Sequence, residues 1–322
     1  MDWIVDNLLT IDAAKIFCAA VLVGIVVGMT GMGGGALMTP ALIFLGIDPT
    51  AAVANDLTAA SVNKSVGASV HWRAGSPNLR LAGLLMIGSI PAAFAGPWIV
   101  KAIGASEDQQ AFVKAAIGWA LLVTASTYTL RLYLQLRDSA AGRTRGRHDP
   151  VILPMRTVLI GAVGGLLVGI TSVGSGSVIM LTLLLVYPTL SAVRLVGTDL
   201  VQAVPLVLSA AISNMIVHGI NWEVLIPLII GGSPGTFLGS RLAGKVPQSV
   251  IRRGIVVVLT VSGLALLKVD PVIVGMVGGA LLILGPVMWG VVRASVGLPM
   301  FGPRSEFPPD DPLYGEGVAE RR

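Results

Sequence analysis

Charge, aromatic rings and cysteine are all scarce in this chain. Only 12% of its 322 residues are Asp, Glu, Lys or Arg, against about 25% in soluble domains, which argues against a soluble fold. A single cysteine, Cys18, excludes a disulfide framework or a metal–thiolate site within one chain. Set in an apolar block, it reads as a small buried packing residue. The three histidines are not spaced as metal ligands, so neither metal nor other cofactor is expected. No Gly-x-x-x-x-Gly-Lys-Ser/Thr run is present, which removes the usual ATP-driven machinery. The net charge of +5 does not indicate nucleic acid, because no folded basic domain carries it. Most basic residues fall in short loops between apolar blocks, where membrane topology requires them.

What the chain has instead is apolar length and glycine. Hydrophobic residues make up 54%, glycines number 40, and the mean hydropathy is +0.83. Several blocks reach the roughly 20 residues that a membrane helix needs, and small residues let such helices approach closely in lipid. The lipid bilayer is therefore a partner, and the class is an all-α polytopic membrane protein. The start, Met1-Asp2-Trp3 with Asp6 and Asp12, lacks the positive charge of a signal peptide, so the first block is expected to stay in the mature protein.

A helix-length apolar stretch runs into Gly28-Met29-Thr30-Gly31-Met32-Gly33-Gly34-Gly35, and 141 positions later the chain reads Gly169-Ile170-Thr171-Ser172-Val173-Gly174-Ser175-Gly176. Periodicity and breakers predict helices at 13–30, 34–46, 51–72, 79–102 and 110–134, then 155–171, 175–187, 192–218, 222–243, 250–268 and 271–293. The second helix of each half is short for a bilayer, so each glycine run reads as the tip of a bent helical hairpin. Non-helical backbone at such depth is tolerated only inside protein or facing a wet cavity. The repeat continues at an offset of 143: Val53, Asp56 and Leu57 match Val196, Asp199 and Leu200, Asn78 matches Asn221, and Gly88, Pro91, Phe94 and Gly96 match Gly231, Pro234, Phe237 and Gly239. Matches ordered along one offset point to duplication. The chain thus divides into a first repeat at 1–136, a basic linker at 137–154, a second repeat at 155–268, an additional helix at 269–298 and a disordered tail at 299–322. Arg131, Arg137, Arg143, Arg145, Arg147 and Arg156 put the central loop in the cytoplasm. An odd number of crossings per half then places the N-terminus outside, the tail inside, and the halves upside down relative to each other.

These residues resemble the sulfite exporter TauE/SafE family. The resemblance rests on the Gly-rich first hairpin, its copy at Gly169 to Ser177, the helix starts Asn55-Asp56-Leu57 and Gly197-Thr198-Asp199-Leu200, and the turn Gly219-Ile220-Asn221-Trp222 with a weaker copy at Gly75-Ser76-Pro77-Asn78. It covers roughly residues 13 to 268. Asp56 and Asp199 stand where many members have serine or a small residue, and Asn78 and Asn221 where aspartate is usual. The resemblance implies transport of small sulfur-containing anions such as sulfite or organosulfonates, usually export, driven by the proton gradient.

The glycine breaks have the chemistry for an oxyanion. Helix N-termini present unpaired N–H groups and a partial positive charge, and glycine keeps side chains off that backbone. The expected substrate-binding set is Thr30, Gly31, Gly33, Gly34, Gly35, Thr171, Ser172, Gly174, Ser175, Gly176 and Ser177, with Thr39 as a further hydroxyl donor, Asn55 and Thr198 at the following helix starts, and Lys64 as an intramembrane cation. Asp56, Asp199, Gln202 and His71 are candidates for coupling. The bland alternatives are that the aspartates are N-caps or first-turn acids, that Lys64 makes a structural charge pair, and that His71 and His218 are solvated at helix ends. Two other functions are weighed against anion transport: a cation transporter using Asp56 and Asp199, and a membrane-embedded enzyme, for which no His/Glu or Ser/His constellation is evident. Oligomers are possible but not indicated.

Overall fold

The computed structural model describes residues 11–30, 34–71, 77–140, 152–174, 176–187, 192–242 and 248–295. Among them are eleven α-helices and no strand: α1 (Ile11–Thr30), α2 (Gly35–Phe44), α3 (Pro49–His71), α4 (Leu79–Lys101), α5 (Ser106–Ala140), α6 (Pro154–Thr171), α7 (Val178–Val186), α8 (Ala192–His218), α9 (Trp222–Leu242), α10 (Gln248–Leu266) and α11 (Pro271–Ser295). The tail from Pro299 and most of the linker lie outside the described residues, although α5 carries the helix past 136 to Ala140.

Six helices, α1, α4, α5, α6, α8 and α11, are long and apolar enough to cross a membrane, and the chain is a multi-pass membrane protein. α3, α9 and α10, expected as further spans, are not among the six found in the described residues, and α3 is too polar to qualify. It carries Thr50, Asn55, Asp56, Thr58, Ser61, Asn63 and Lys64, and most of its N-terminal two-thirds is buried. Neighbouring helices, α8 above all, cover that part of it. α2 has 10 residues and α7 has 9. At 1.5 Å per residue each reaches about 15 Å, half of a hydrocarbon core of about 30 Å. Cys18 departs from the sequence expectation. It is exposed, on an outer face of α1 with Phe17 and Leu22.

The packing interleaves the two halves. α1 packs most extensively on α9, and α6 on α4; α3 packs on α8, and α5 on α10. Glycine sets these close approaches. A Cβ at Gly24 would meet the Gly232 carbonyl oxygen and one at Gly165 the Ser89 oxygen; a Cβ at Gly28 would meet the Thr236 oxygen and one at Gly169 the Ala93 oxygen. Each of these two contacts in α1–α9 thus has its counterpart in α6–α4 at the sequence offsets of 141 and 143. α11 stands apart. It packs on α10 and leaves Met276, Leu282, Ile283 and Met288 exposed on its outer side, as a lipid-facing helix does.

Two apolar clusters fill the interior. The larger joins Leu57, Leu81, Leu85, Ile117, Leu121, Val168, Ile179, Leu183, Leu195 and Leu206. The smaller binds the first hairpin to α3 and α9 through Ile16, Ala20, Met38, Leu42, Ala52, Val224 and Leu228. At the open end of the second hairpin Tyr187, 2% exposed, ties α6 to α7. Its hydroxyl lies 2.6 Å from Thr157 Oγ1 and accepts from the Leu153 N–H at 3.1 Å.

Candidate functional site

The break after α6 follows from its residues. Ser172 takes the left-handed conformation, φ 59°, and caps the helix by donating its N–H to the Val168 carbonyl at 2.8 Å. Two residues on, Gly174 has φ 115°, a conformation that glycine adopts without strain. The chain then re-enters helix at Val178. In the first hairpin α1 ends at Thr30 and α2 starts at Gly35. Gly31 and Gly33, and likewise Ser175 in the second hairpin, lie outside the described residues.

The two tips meet. Gly35 lies against Ser172 so closely that a Cβ at Gly35 would fall on the Ser172 carbonyl oxygen and 2.7 Å from its Oγ. Around this contact is a narrow cavity lined by Gly34, Gly35, Ala36, Leu57, Ala60, Lys64, Ser172, Gly174, Gly176, Ser177 and Val207. Its free interior is about 20 Å³, enough to admit one water-sized molecule. A Cβ on Gly34 would meet nothing within 4 Å, so that glycine borders open space. Within the first turn of α2, the N–H groups of Leu37 and Met38 both reach the Gly34 carbonyl, at 3.0 and 2.9 Å. The N–H groups of Gly35 and Ala36 precede any intrahelical acceptor and belong to residues of the cavity wall.

Lys64 is the one charged residue among the described lining residues. It is half-buried and lies within electrostatic reach of both Asp199 and Asp56. Each aspartate is the eighth residue of its helix, counted from Pro49 and from Ala192. That is past the first turn, so the reading of both as N-caps or first-turn acids fails. Asp56 Oδ2 instead accepts from Thr39 Oγ1 at 2.7 Å and from Ser172 Oγ at 2.6 Å. One carboxylate therefore joins α2 of the first hairpin to the tip of the second. Asp199, 5% exposed, accepts from Gln202 Nε2 at 3.1 Å, and Gln202 Oε1 accepts from Ser89 Oγ at 3.5 Å.

The other expected residues divide. Ser177 lines the cavity and donates to Thr124 Oγ1 at 3.4 Å. Thr30 Oγ1 donates to the Val26 carbonyl at 2.7 Å and Thr171 Oγ1 to the Leu167 carbonyl at 2.6 Å; both cap their own helix ends and are not among the lining residues. Asn55 and Thr198 are fully buried but away from the cavity wall. Thr198 Oγ1 accepts the Asn78 N–H at 3.0 Å. His71 ends α3, and His218 is half-buried at the end of α8.

Sequence reasoning passed over Asn214, whose Nδ2 donates to the Gly169 carbonyl at 3.1 Å at the broken end of α6. A lone amide in the apolar run Ala210-Ala211-Ile212-Ser213-Asn214-Met215-Ile216 was the available signal. It also passed over Leu57, Ala60 and Val207, the apolar side of the cavity, which no motif marks.

A family model described as "Sulfite exporter TauE/SafE" matches residues 16–266. The chain is 34% identical over 261 residues, 79% of its length and all of the relative's, to "Probable membrane transporter protein YjnA" of Bacillus subtilis strain 168. It is 24% identical over 249 residues, 76% of its length and 96% of the relative's, to "Probable membrane transporter protein YdhB" of the same organism. A "Probable membrane transporter protein" of Xylella fastidiosa strain Temecula1 shares 27% over 233 residues, 71% of this chain and 84% of its own. No solved structure matches the chain significantly.

Proposed function

Because the chain belongs to the sulfite exporter TauE/SafE family of membrane transporters, we propose that it is a secondary active exporter of small sulfur-containing anions such as sulfite or organosulfonates. The observation that carries this reading is the meeting of Gly35 with Ser172 beside a cavity whose charged wall residue is Lys64. Amide groups at the start of α2, the Ser172 and Ser177 hydroxyls and one ammonium suit a compact oxyanion. Lys64 on the wall disfavours the competing cation reading, since it would repel a cationic cargo.

The two halves act as inverted repeats around this site. The matched glycine contacts of α1–α9 and α6–α4, together with the symmetric packing of α3 on α8 and α5 on α10, support a two-fold relation between them. The positive-inside rule then places the N-terminus outside and the tail in the cytoplasm. Alternating access follows from rocking one repeat against the other. An interior of about 20 Å³ is too small for a sulfonate, so the tips must separate to load one. Asp56 and Asp199 are the proton carriers, each within reach of Lys64. Protonating Asp56 would loosen its hold on Thr39 and Ser172, which links a proton to the opening of the tips.

The test is counterflow in proteoliposomes with labelled sulfite, sulfoacetate, thiosulfate and sulfate, with and without a pH gradient. Saturable flux of a sulfur anion that the gradient accelerates is the expected result. Flux of sodium, protons or divalent metal ions without any anion would overturn it.

A further inference from the structure

We infer that Thr198 with Asn78, and Asn55 with Asn221, are two alternating latches of the transport cycle, and that this structure holds the first engaged and the second released. The inference rests on the inverted-repeat reading above and not on the identity of the cargo.

Asn78 is the N-cap of α4. Its Oδ1 accepts from the Leu81 N–H at 3.0 Å, and its own N–H donates outward, to Thr198 Oγ1 on α8, also at 3.0 Å. The offset of 143 carries Asn78 to Asn221 and Thr198 to Asn55. Asn221 likewise precedes α9, although its Oδ1 accepts from the N–H two residues on, that of Glu223, at 3.0 Å. The counterpart of the Asn78–Thr198 bond would therefore run from the Asn221 N–H to Asn55 Oδ1. That bond is not made. Asn55 is fully buried, its Nδ2 donates to the Ala51 carbonyl at 2.8 Å, and its Oδ1 is the one buried side-chain atom without a hydrogen-bond partner among the described residues. Asn221 is exposed.

The seams around the two pairs differ in the same sense. α8 follows α4 along its length, with Ser209 Oγ donating to the Ile90 carbonyl at 3.0 Å and Ser213 Oγ to the Phe94 carbonyl at 2.5 Å beyond the Thr198 contact. Between α3 and α9 the bond is farther along both helices, from Ser233 Oγ to Asn63 Oδ1 at 2.8 Å. Part of this asymmetry is compositional, because valines, Val66 and Val70, stand where α8 has Ser209 and Ser213. At positions 55 and 198, however, both halves have a side-chain oxygen able to accept. The difference there is one of conformation. A buried amide oxygen with no donor is costly to keep, and a second state that brings the start of α9 onto α3 supplies the donor. In an inverted repeat the two latches lie on opposite faces of the membrane, so exchanging one for the other exchanges the open side.

Disulfide trapping tests this in the full chain with Cys18→Ser, reconstituted in liposomes. A disulfide needs the two Cα atoms within about 7 Å. Thr198→Cys with Asn78→Cys, and Asn55→Cys with Asn221→Cys, are expected each to cross-link on oxidation, read as a mobility shift without any substrate. In the quadruple variant each molecule is expected to carry one of the two cross-links and never both. Coexistence of both in one molecule, or failure of the 55–221 pair in protein that forms the 198–78 pair, would overturn the latches. Asn55→Leu removes the acceptor without charge and should raise the 198–78 cross-linking rate severalfold; an unchanged rate counts against the exchange. Should none of the sulfur anions be transported while the cross-links remain mutually exclusive, the latches stand and the cargo assignment falls.

Discussion

Ser172 of the second hairpin donates its hydroxyl to Asp56 of α3 at 2.6 Å, across 116 positions of sequence. The same carboxylate oxygen holds Thr39, so one side chain fixes the relative position of the two hairpins. Asp56→Ala should leave two buried hydroxyls without their acceptor and destabilise the protein by about 2–6 kcal/mol, at about 1–3 kcal/mol for each group left unsatisfied. Asp56→Asn keeps an acceptor oxygen and should fold, but lose the acceleration of transport by a pH gradient. Thermal unfolding in detergent and gradient-driven flux check the two halves of this prediction; an Asp56→Asn protein still driven by the gradient would remove Asp56 from coupling.

Gly35→Ala is expected to push the tips apart. The added methyl has backbone on its far side, the Ser172 carbonyl, which moves only with the whole hairpin. Overpacking of this kind costs about 1–3 kcal/mol. Gly34→Ala faces open space and should cost little stability while narrowing the cavity. The pair separates packing from binding: melting temperature falls for the first, anion affinity for the second.

Lys64→Gln should weaken anion binding by about 1.5–3 kcal/mol, the worth of one hydrogen bond to a charged group. Lys64→Arg should retain part of it. Counterflow at several anion concentrations reads this as a rise in the half-saturating concentration. An unchanged value for Lys64→Gln would place the anion elsewhere.

Gly28→Val and Gly169→Val should destabilise the protein by similar amounts, because each substitution presses on a carbonyl of the partnered helix, Thr236 in one half and Ala93 in the other. Tyr187→Phe should be felt in one half alone, since Gly46 stands at the corresponding place. The loss, about 1–3 kcal/mol for the stranded Leu153 N–H, is measurable by thermal unfolding; the Thr157 hydroxyl keeps the Leu153 carbonyl as acceptor at 3.0 Å.

Helix placement was legible in the sequence because apolar length and glycine breaks are local signals. α8 spans 192–218 as expected, and α6 begins one residue earlier, at Pro154. The tips as a meeting place were also legible, from duplication of the glycine runs. The partners of Asp56 were not. Nothing in residues 49–71 says that Thr39 and Ser172 will converge on that carboxylate, and the apparent nearness to a helix start suggested a cap. The partner of Thr198 was not legible either: its position in a motif suggested ligand binding, and its oxygen also accepts from the Asn78 N–H. Long-range hydrogen bonds depend on how helices cross, and periodicity carries no record of crossing.

The pairing of α1 with α9 and of α4 with α6 bears on how the molecule is made. α1 finds its main neighbour only after residue 222 has been synthesised. Until then its glycine face is without the helix it is shaped for, and insertion machinery or lipid must shelter it. Expressing the halves as separate chains should therefore yield stable protein only when both are made together.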